Sequence, residues 1–161
     1  RGRPRPGESR GEDRPLGYYL RGARLVGTDD AGRVAYRIHA ERLDERPEQE
    51  LLELTGVAVD YHPPDDTPWR ISAALATAPK DGSQLDLRGN VELESLPAEG
   101  GRPVHIATEE LRFFPDSSSV ESEETVEIRV GDWRLSAKGL RTHLKGDSLE
   151  LESDVHGRFG P

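Results

Sequence analysis

The side chains here that can do chemistry are scattered rather than clustered. The sequence holds five histidines (His39, His62, His105, His143 and His156) and no cysteine. The absence of cysteine removes disulfides, thiolate catalysis and cysteine-based metal sites. Nucleophilic catalysis needs a nucleophile beside a base, and acid–base catalysis needs carboxylates in different environments. None of the patterns G-x-S-x-G, H-E-x-x-H, G-x-G-x-x-G or a Walker loop occurs. His39 and His105 fall at equivalent places in two strands, on the polar side, and read as solvent-facing or rim residues. Asp65-Asp66 lacks the ligand spacing of a calcium loop and reads as a solvated turn. Glu109-Glu110 and Glu121-Ser122-Glu123-Glu124 read as solvated edges. Asn90 precedes Val91-Glu92, so no glycosylation pattern stands there. These residue types imply neither an enzyme nor a cofactor site.

The elements that must position such residues are strands. Trp69-Arg70-Ile71-Ser72-Ala73 alternates, with Trp69, Ile71, Ala73 and Leu75 expected on one side and Arg70, Ser72 and Ala74 on the other. The unit recurs at Tyr36-Arg37-Ile38-His39-Ala40, Val104-His105-Ile106-Ala107-Thr108 and Trp133-Arg134-Leu135-Ser136-Ala137. A second unit recurs at Leu54-Thr55-Gly56-Val57, Leu87 to Val91, Thr125-Val126-Glu127-Ile128 and Leu151 to Val155. Anchored on Ile38, Ile71, Ile106 and Leu135, the steps are 33, 35 and 29 residues; anchored on Val57, Val91, Val126 and Val155, they are 34, 35 and 29. Two anchors with nearly the same steps define a repeat of long hairpins. Gly56 and Gly89 sit at equivalent points inside their strands, where glycine marks a bulge or bend; one per repeat would curl the sheet.

Composition agrees. Hydrophobic and charged residues each make up 33% of the chain, which suits a β layer that sends half its side chains to water. The net charge is −9, and the five arginines of residues 1–16 against Glu8, Glu12 and Asp13 leave −11 on residues 17–161. An acidic body argues against nucleic acid and against a broad basic membrane patch. No apolar run reaches the ~20 residues that span a bilayer.

Residues 1–16 read as a disordered Arg/Pro-rich linker, and residues 17–161 as one all-β domain. Its strands are expected at 18–26, 33–46, 51–62, 69–78, 85–96, 104–114, 120–130, 133–144 and 149–159, with no helix. The chain does not begin with methionine, and the natural polypeptide is expected to start further upstream. One apolar face is expected to collect Val34, Tyr36, Ile38, Leu54, Val57, Val59, Trp69, Ile71, Leu85, Leu87, Val91, Leu93, Ile106, Phe113, Val126, Ile128, Trp133, Leu135, Leu140, Leu149, Leu151, Val155 and Phe159. Such a face is either the packed core of a sandwich or, in part, the lining of a cleft.

The repeated Trp-Arg-Ile-Ser-Ala and Leu-Arg-Gly-Asn-Val-Glu-Leu pieces resemble the LptC family, the periplasmic bridge component of the Gram-negative lipopolysaccharide export machine. Gly17-Tyr18-Tyr19-Leu20, Gly32-Arg33-Val34-Ala35-Tyr36-Arg37 and Pro68-Trp69-Arg70-Ile71 follow in that family's order. LptA and the amino-terminal domain of LptD share the hairpin repeats, and the linker ahead of Tyr18 favours LptC.

The resemblance implies an antiparallel β-jellyroll of two sheets forming an open, boat-shaped trough. It implies lipopolysaccharide acyl chains in that trough, with Tyr36, Ile38, Leu54, Trp69, Ile71, Val91, Ile106, Leu135 and Phe159 as the expected lining. It implies docking of the inner-membrane transporter LptB-LptF-LptG at the amino-terminal end, around Tyr18, Leu20 and Leu25. It implies docking of LptA at the carboxy-terminal end, around Leu151, Val155, Gly157 and Phe159. A periplasmic domain tethered to the inner membrane by a preceding helix is expected, without catalytic residues, metal or cofactor. The alternatives are a soluble LptA-like carrier and a structural adaptor with a dry core.

Overall fold

The computed structural model describes residues 19–28, 31–63, 67–97, 101–144 and 149–159, with side chains up to residue 144 and at Val155. The expected linker, Tyr18 and Asp65-Asp66 lie outside the described residues. The strands are β1 (Tyr19–Thr28), β2 (Val34–Arg46), β3 (Leu51–Tyr61), β4 (Trp69–Pro79), β5 (Leu85–Ser95), β6 (Val104–Phe114), β7 (Ser119–Val130), β8 (Trp133–His143) and β9 (Leu149–Phe159). Each pairs antiparallel with the next, so the order is β1-β2-β3-β4-β5-β6-β7-β8-β9. The two layers expected of a jellyroll are therefore parts of one continuous ladder. Pro47 ends β2 as expected, and Pro47–Gln49 forms a single 3-10 turn that hands the chain to β3.

A crease crosses the whole sheet. Regular pairing breaks at one level in every ladder: around Gly22 and Glu41, Glu41 and Gly56, Gly56 and Ala74, then between Ser72 and Leu75, Arg88 and Val91, Ala107 and Arg112, Ser122 and Thr125, and Ser136 and Lys138. Gly22, Gly56, Gly89 and Gly139 stand on this line with φ of 62°, 63°, 87° and 94°. Side chains with a Cβ rarely adopt that left-handed conformation. These glycines bend the sheet, as the repeat predicts for Gly56 and Gly89, whereas β6 and β7 cross the crease without a glycine.

The crease also inverts side-chain parity, and this overturns part of the expected inner face. In β4 the buried residues are Ile71, Ala73 and then Ala76, so Leu75, expected beside Ile71, is 49% exposed. The same inversion buries Leu43 in β2, Leu111 in β6 and Leu140 in β8. β5 keeps its parity because Gly89 and Asn90 both turn left-handed there and absorb the slip together. Simple alternation missed Leu43, Tyr61, Leu111, Val120 and Leu144, all buried, and wrongly placed Val34, Trp133 and Val155 inside.

The sheet folds over on itself. The Tyr36–Tyr61–Trp69 end of β2–β4 lies over the turn ends of β6–β8. The Phe113 ring meets Tyr61 at 5.3 Å and Tyr36 at 6.3 Å, both edge-on. The core between the halves includes Leu54, Val59, Ile71, Leu87, Leu111 and Phe113, each at most 1% exposed. Burial of this face is the main drive for folding a chain so poor in apolar residues.

Candidate lipid-transport site

The inner face is mainly apolar, with Ser95, Thr108, Ser122 and Thr142 buried among its aliphatic side chains, and in this structure it is filled. Of the residues expected to line a trough, Ile38, Leu54, Ile71, Val91 and Ile106 are buried in the core. Tyr36, Trp69 and Leu135 are half-buried and pack against its rim. Phe159 is opposite Trp133 in register; its side chain lies outside the described ones. The structure thus brings eight of the nine expected residues to one inner surface, in two groups: a sealed middle and a partly open rim.

Polar contacts close the seam between the halves. The Tyr61 hydroxyl hydrogen-bonds Ser118 Oγ in the β6–β7 turn. The Trp69 indole Nε1–H donates to the Leu144 carbonyl oxygen at 3.2 Å. Tyr36 lies near the same turn: burial pushes its phenol above the usual range, and the Asp116 carboxylate adds to this. Sequence reasoning missed Tyr61, Ser118 and Leu144 as partners, because they meet only across the fold.

The edges of the sheet differ from its middle. Among the described residues no ladder joins β1 to β9. Among the described residues, six of the eight exposed large hydrophobics stand at the two ends of the strand order: Tyr19, Leu20 and Val26 on β1, Val34 on β2, Trp133 on β8 and Val155 on β9. Leu25, also expected at the β1 end, is half-buried against the core. Arg42 stacks over the Tyr19 ring, 4.1 Å from its centre, and grips Asp44 through two 2.9 Å hydrogen bonds. Those hydrogen bonds hold the Asp44 carboxyl below its ordinary range. Leu151 and Gly157 belong to β9, and their side-chain surroundings are outside the described residues.

Comparison with known proteins decides the family. The family model "LptC: Lipopolysaccharide-assembly, LptC-related" matches residues 5–159. The chain belongs to the LptC family. No curated protein matches it. Among the solved structures that do, LptH of Pseudomonas aeruginosa, described as the LptA homologous periplasmic component of the conserved lipopolysaccharide transport device, superposes with a TM-score of 0.61 at 11% identity. The match covers 78% of this chain and 95% of LptH. At that identity it shows a shared fold, an LptA-like jellyroll trough.

As an LptC-family protein the chain takes part in lipopolysaccharide transport and is not an enzyme. Among the described residues, the histidines and the glutamates of β7 have structural surroundings instead. His39, His62 and His143 are exposed, and the His143 ring lies 3.4 Å from the Ser117 carbonyl. His105 bridges Glu92 and Arg129 at 3.3 and 3.2 Å. The guanidinium can only donate, so Nδ1 accepts from Arg129, and Nε2 carries the proton toward Glu92. β6 and β7 are internal strands, not edges, and Glu121 pairs with Arg112 and Arg141 at 3.5 and 3.6 Å. A depression of about 250 Å³, lined by Glu53, Thr55, Leu75, Thr77, Asp86 and Arg88 among others, lies on the outer face of β3–β5. It is separated from the apolar interior by the sheet itself.

Proposed function

We propose that this LptC-family chain receives lipopolysaccharide from the transporter LptB-LptF-LptG at the β1 end, holds its acyl chains against the inner face, and passes it to LptA at the β9 end. The observation that carries the proposal is the open sheet: an apolar interior bounded by two unjoined edges, each carrying exposed apolar side chains. An unpaired edge is a template for another strand, and edge-to-edge addition would extend the interior from one protein to the next. Apolar burial is worth about 0.8 kcal/mol per methylene, so acyl chains need no charged clamp.

The filled core sets how lipid enters. Chains reach Tyr36, Trp69 and Leu135 at the rim first, and Ile38, Leu54, Ile71, Val91 and Ile106 only after the two halves separate. Tyr18, Leu20 and Leu25 belong to the transporter end; Leu151, Val155, Gly157 and Phe159 belong to the LptA end. A helix ahead of the linker, anchoring the protein to the inner membrane, completes this reading. The same packed interior is what a lipid-free structural adaptor would present, so the two readings need a direct test.

That test is photo-crosslinking in cells, with the probe at Leu135 and, separately, at Phe159. Lipopolysaccharide adducts at Leu135 and LptA adducts at Phe159 are the expected results. LptA adducts without lipid at Leu135 or Ile38 would leave the adaptor. Neither kind of adduct from a folded protein would overturn the proposal.

A further inference from the structure

A line of charged residues crosses the outer face of the sheet, on the side away from the apolar interior. The register places Arg37 opposite Asp60, Asp60 opposite Arg70, Arg70 opposite Glu94, Glu94 opposite His105, and His105 opposite Arg129. Signs alternate through β5, and Arg70 meets Asp60 at 2.9 Å. Beyond His105 the alternation stops. Arg129 of β7 is opposite Arg134 of β8, and Arg134 is opposite Arg158 of β9. Three arginines thus occupy consecutive strands in one row and end on the free edge.

Like charges directly opposite one another are unfavourable in a sheet, where opposite charges stabilise. Among the described residues the row does not resolve this internally. Arg129 and Arg134 are exposed, and among the described residues neither forms an ion pair with a carboxylate; Arg129 bonds only to His105 Nδ1. Glu127, two residues from Arg129 on the same face, is exposed and makes no ion pair among the described residues. Arg102, from the β5–β6 connection, lies against Gly131 beside the β7–β8 turn and brings another cation to this end. In a chain of net charge −9 this is a local reversal of sign.

We infer that this arginine row is an interaction surface for an acidic strand: a partner that adds to β9 and carries Asp or Glu on its outward face, in line with Arg158, Arg134 and Arg129. A carboxylate in the next strand would extend the row with the opposite charge. Two further observations select this occupant. The row runs out onto the unpaired edge, where Val155 is 50% exposed, so added backbone and added charge arrive together. It also lies behind the sheet from the acyl-chain face, which separates it from the head group of a lipid held inside. A second copy of this chain is a poor fit, because its own free edge at β1 presents Arg21 and Arg24 with no acidic residue in the strand. The inference rests on the proposed docking of an LptA-type protein at β9, and names the chemistry that docking needs.

The test uses the full chain with the LptA-type protein of its own organism. Binding is measured at low and high salt for the wild type, for the double variant Arg129→Glu/Arg134→Glu, and for Arg24→Glu as a charge control on β1. The expected result is at least about tenfold weaker binding by the double variant at low salt, a loss of the salt dependence, and little change for Arg24→Glu. Partial recovery is expected from Arg129→Lys/Arg134→Lys, which restores charge without the planar fork. Melting temperatures close to wild type establish that the exposed substitutions leave the fold intact. Wild-type affinity and salt dependence in the double variant would overturn the inference while leaving the docking reading standing. No binding by the wild type would overturn both. Undisturbed LptA binding with lost lipopolysaccharide crosslinking at Leu135 would overturn it in favour of a head-group site.

Discussion

The Trp69 Nε1–H group donates to the carbonyl oxygen of Leu144 across 3.2 Å, joining positions 75 residues apart. It ties the start of β4 to the end of the β8 hairpin arm. With the Tyr61–Ser118 hydrogen bond, it pins the two halves of the folded sheet at one end. Leu144 is buried, so its carbonyl depends on this donor or another like it. Trp69→Phe keeps an aromatic ring at the rim and removes the donor. Urea denaturation should show a loss of about 1–3 kcal/mol with an unchanged m-value. A loss within experimental error would mean the indole donor does not hold the seam.

The inversion of parity at the crease separates two aliphatic residues of one strand. Ile71 is fully buried, whereas Leu75, four positions on, is half exposed. Ile71→Ala should cost about 2–5 kcal/mol. Leu75→Ala should stay within roughly 0.5 kcal/mol, as for other surface substitutions. Equal losses would contradict the inverted register in β4.

The crease glycines are set apart by backbone conformation rather than by space alone. Gly22 has open room where a Cβ would stand, yet its φ is 62°. Gly22→Ala should therefore cost roughly 1–2 kcal/mol with no clash to explain it. At Gly56, with φ of 63°, the added methyl would also meet the Glu41 side chain, which is exposed and free to shift. Gly56→Ala should destabilise by a similar amount. Thermal melts of both variants compare the two sites directly, and a neutral Gly22→Ala would remove the backbone argument.

Tyr36 links stability to alkaline pH. Burial, reinforced by Asp116, raises its pKa in the folded protein. A raised folded-state value means that unfolding releases a proton more readily. The contribution is intact below the ordinary tyrosine pKa of about 10 and is lost as pH rises through the folded value. Tyr36→Phe should flatten the decline in stability above about pH 10. An unchanged alkaline limb would show that Tyr36 is not responsible.

Much of the architecture is legible in the sequence. The spacing of Ile38, Ile71, Ile106 and Leu135 placed nearly every strand to within a residue or two, because alternation and turn residues are local properties of the chain. Gly56 and Gly89 marked the crease for the same reason: a left-handed φ inside a strand selects glycine locally. The family-level likeness was carried by short pieces such as Pro68-Trp69-Arg70-Ile71, and the match over residues 5–159 agrees with it.

Tertiary structure decided the rest, where the physics is not local. Period-two reasoning has no term for a bulge that reverses the face of every later residue, so Leu75 was placed inside and Leu43 and Leu111 were left out. The pairing of Trp69 with Leu144 and of Tyr61 with Ser118 arises only when one half of the sheet is laid over the other. The row of Arg129, Arg134 and Arg158 is likewise invisible along the chain, since cross-strand register alone makes them neighbours. Sequence by itself determined what each strand is and that the sheet must bend. The fold determined which residues share a surface, because proximity between distant segments follows from register and closure, not from spacing.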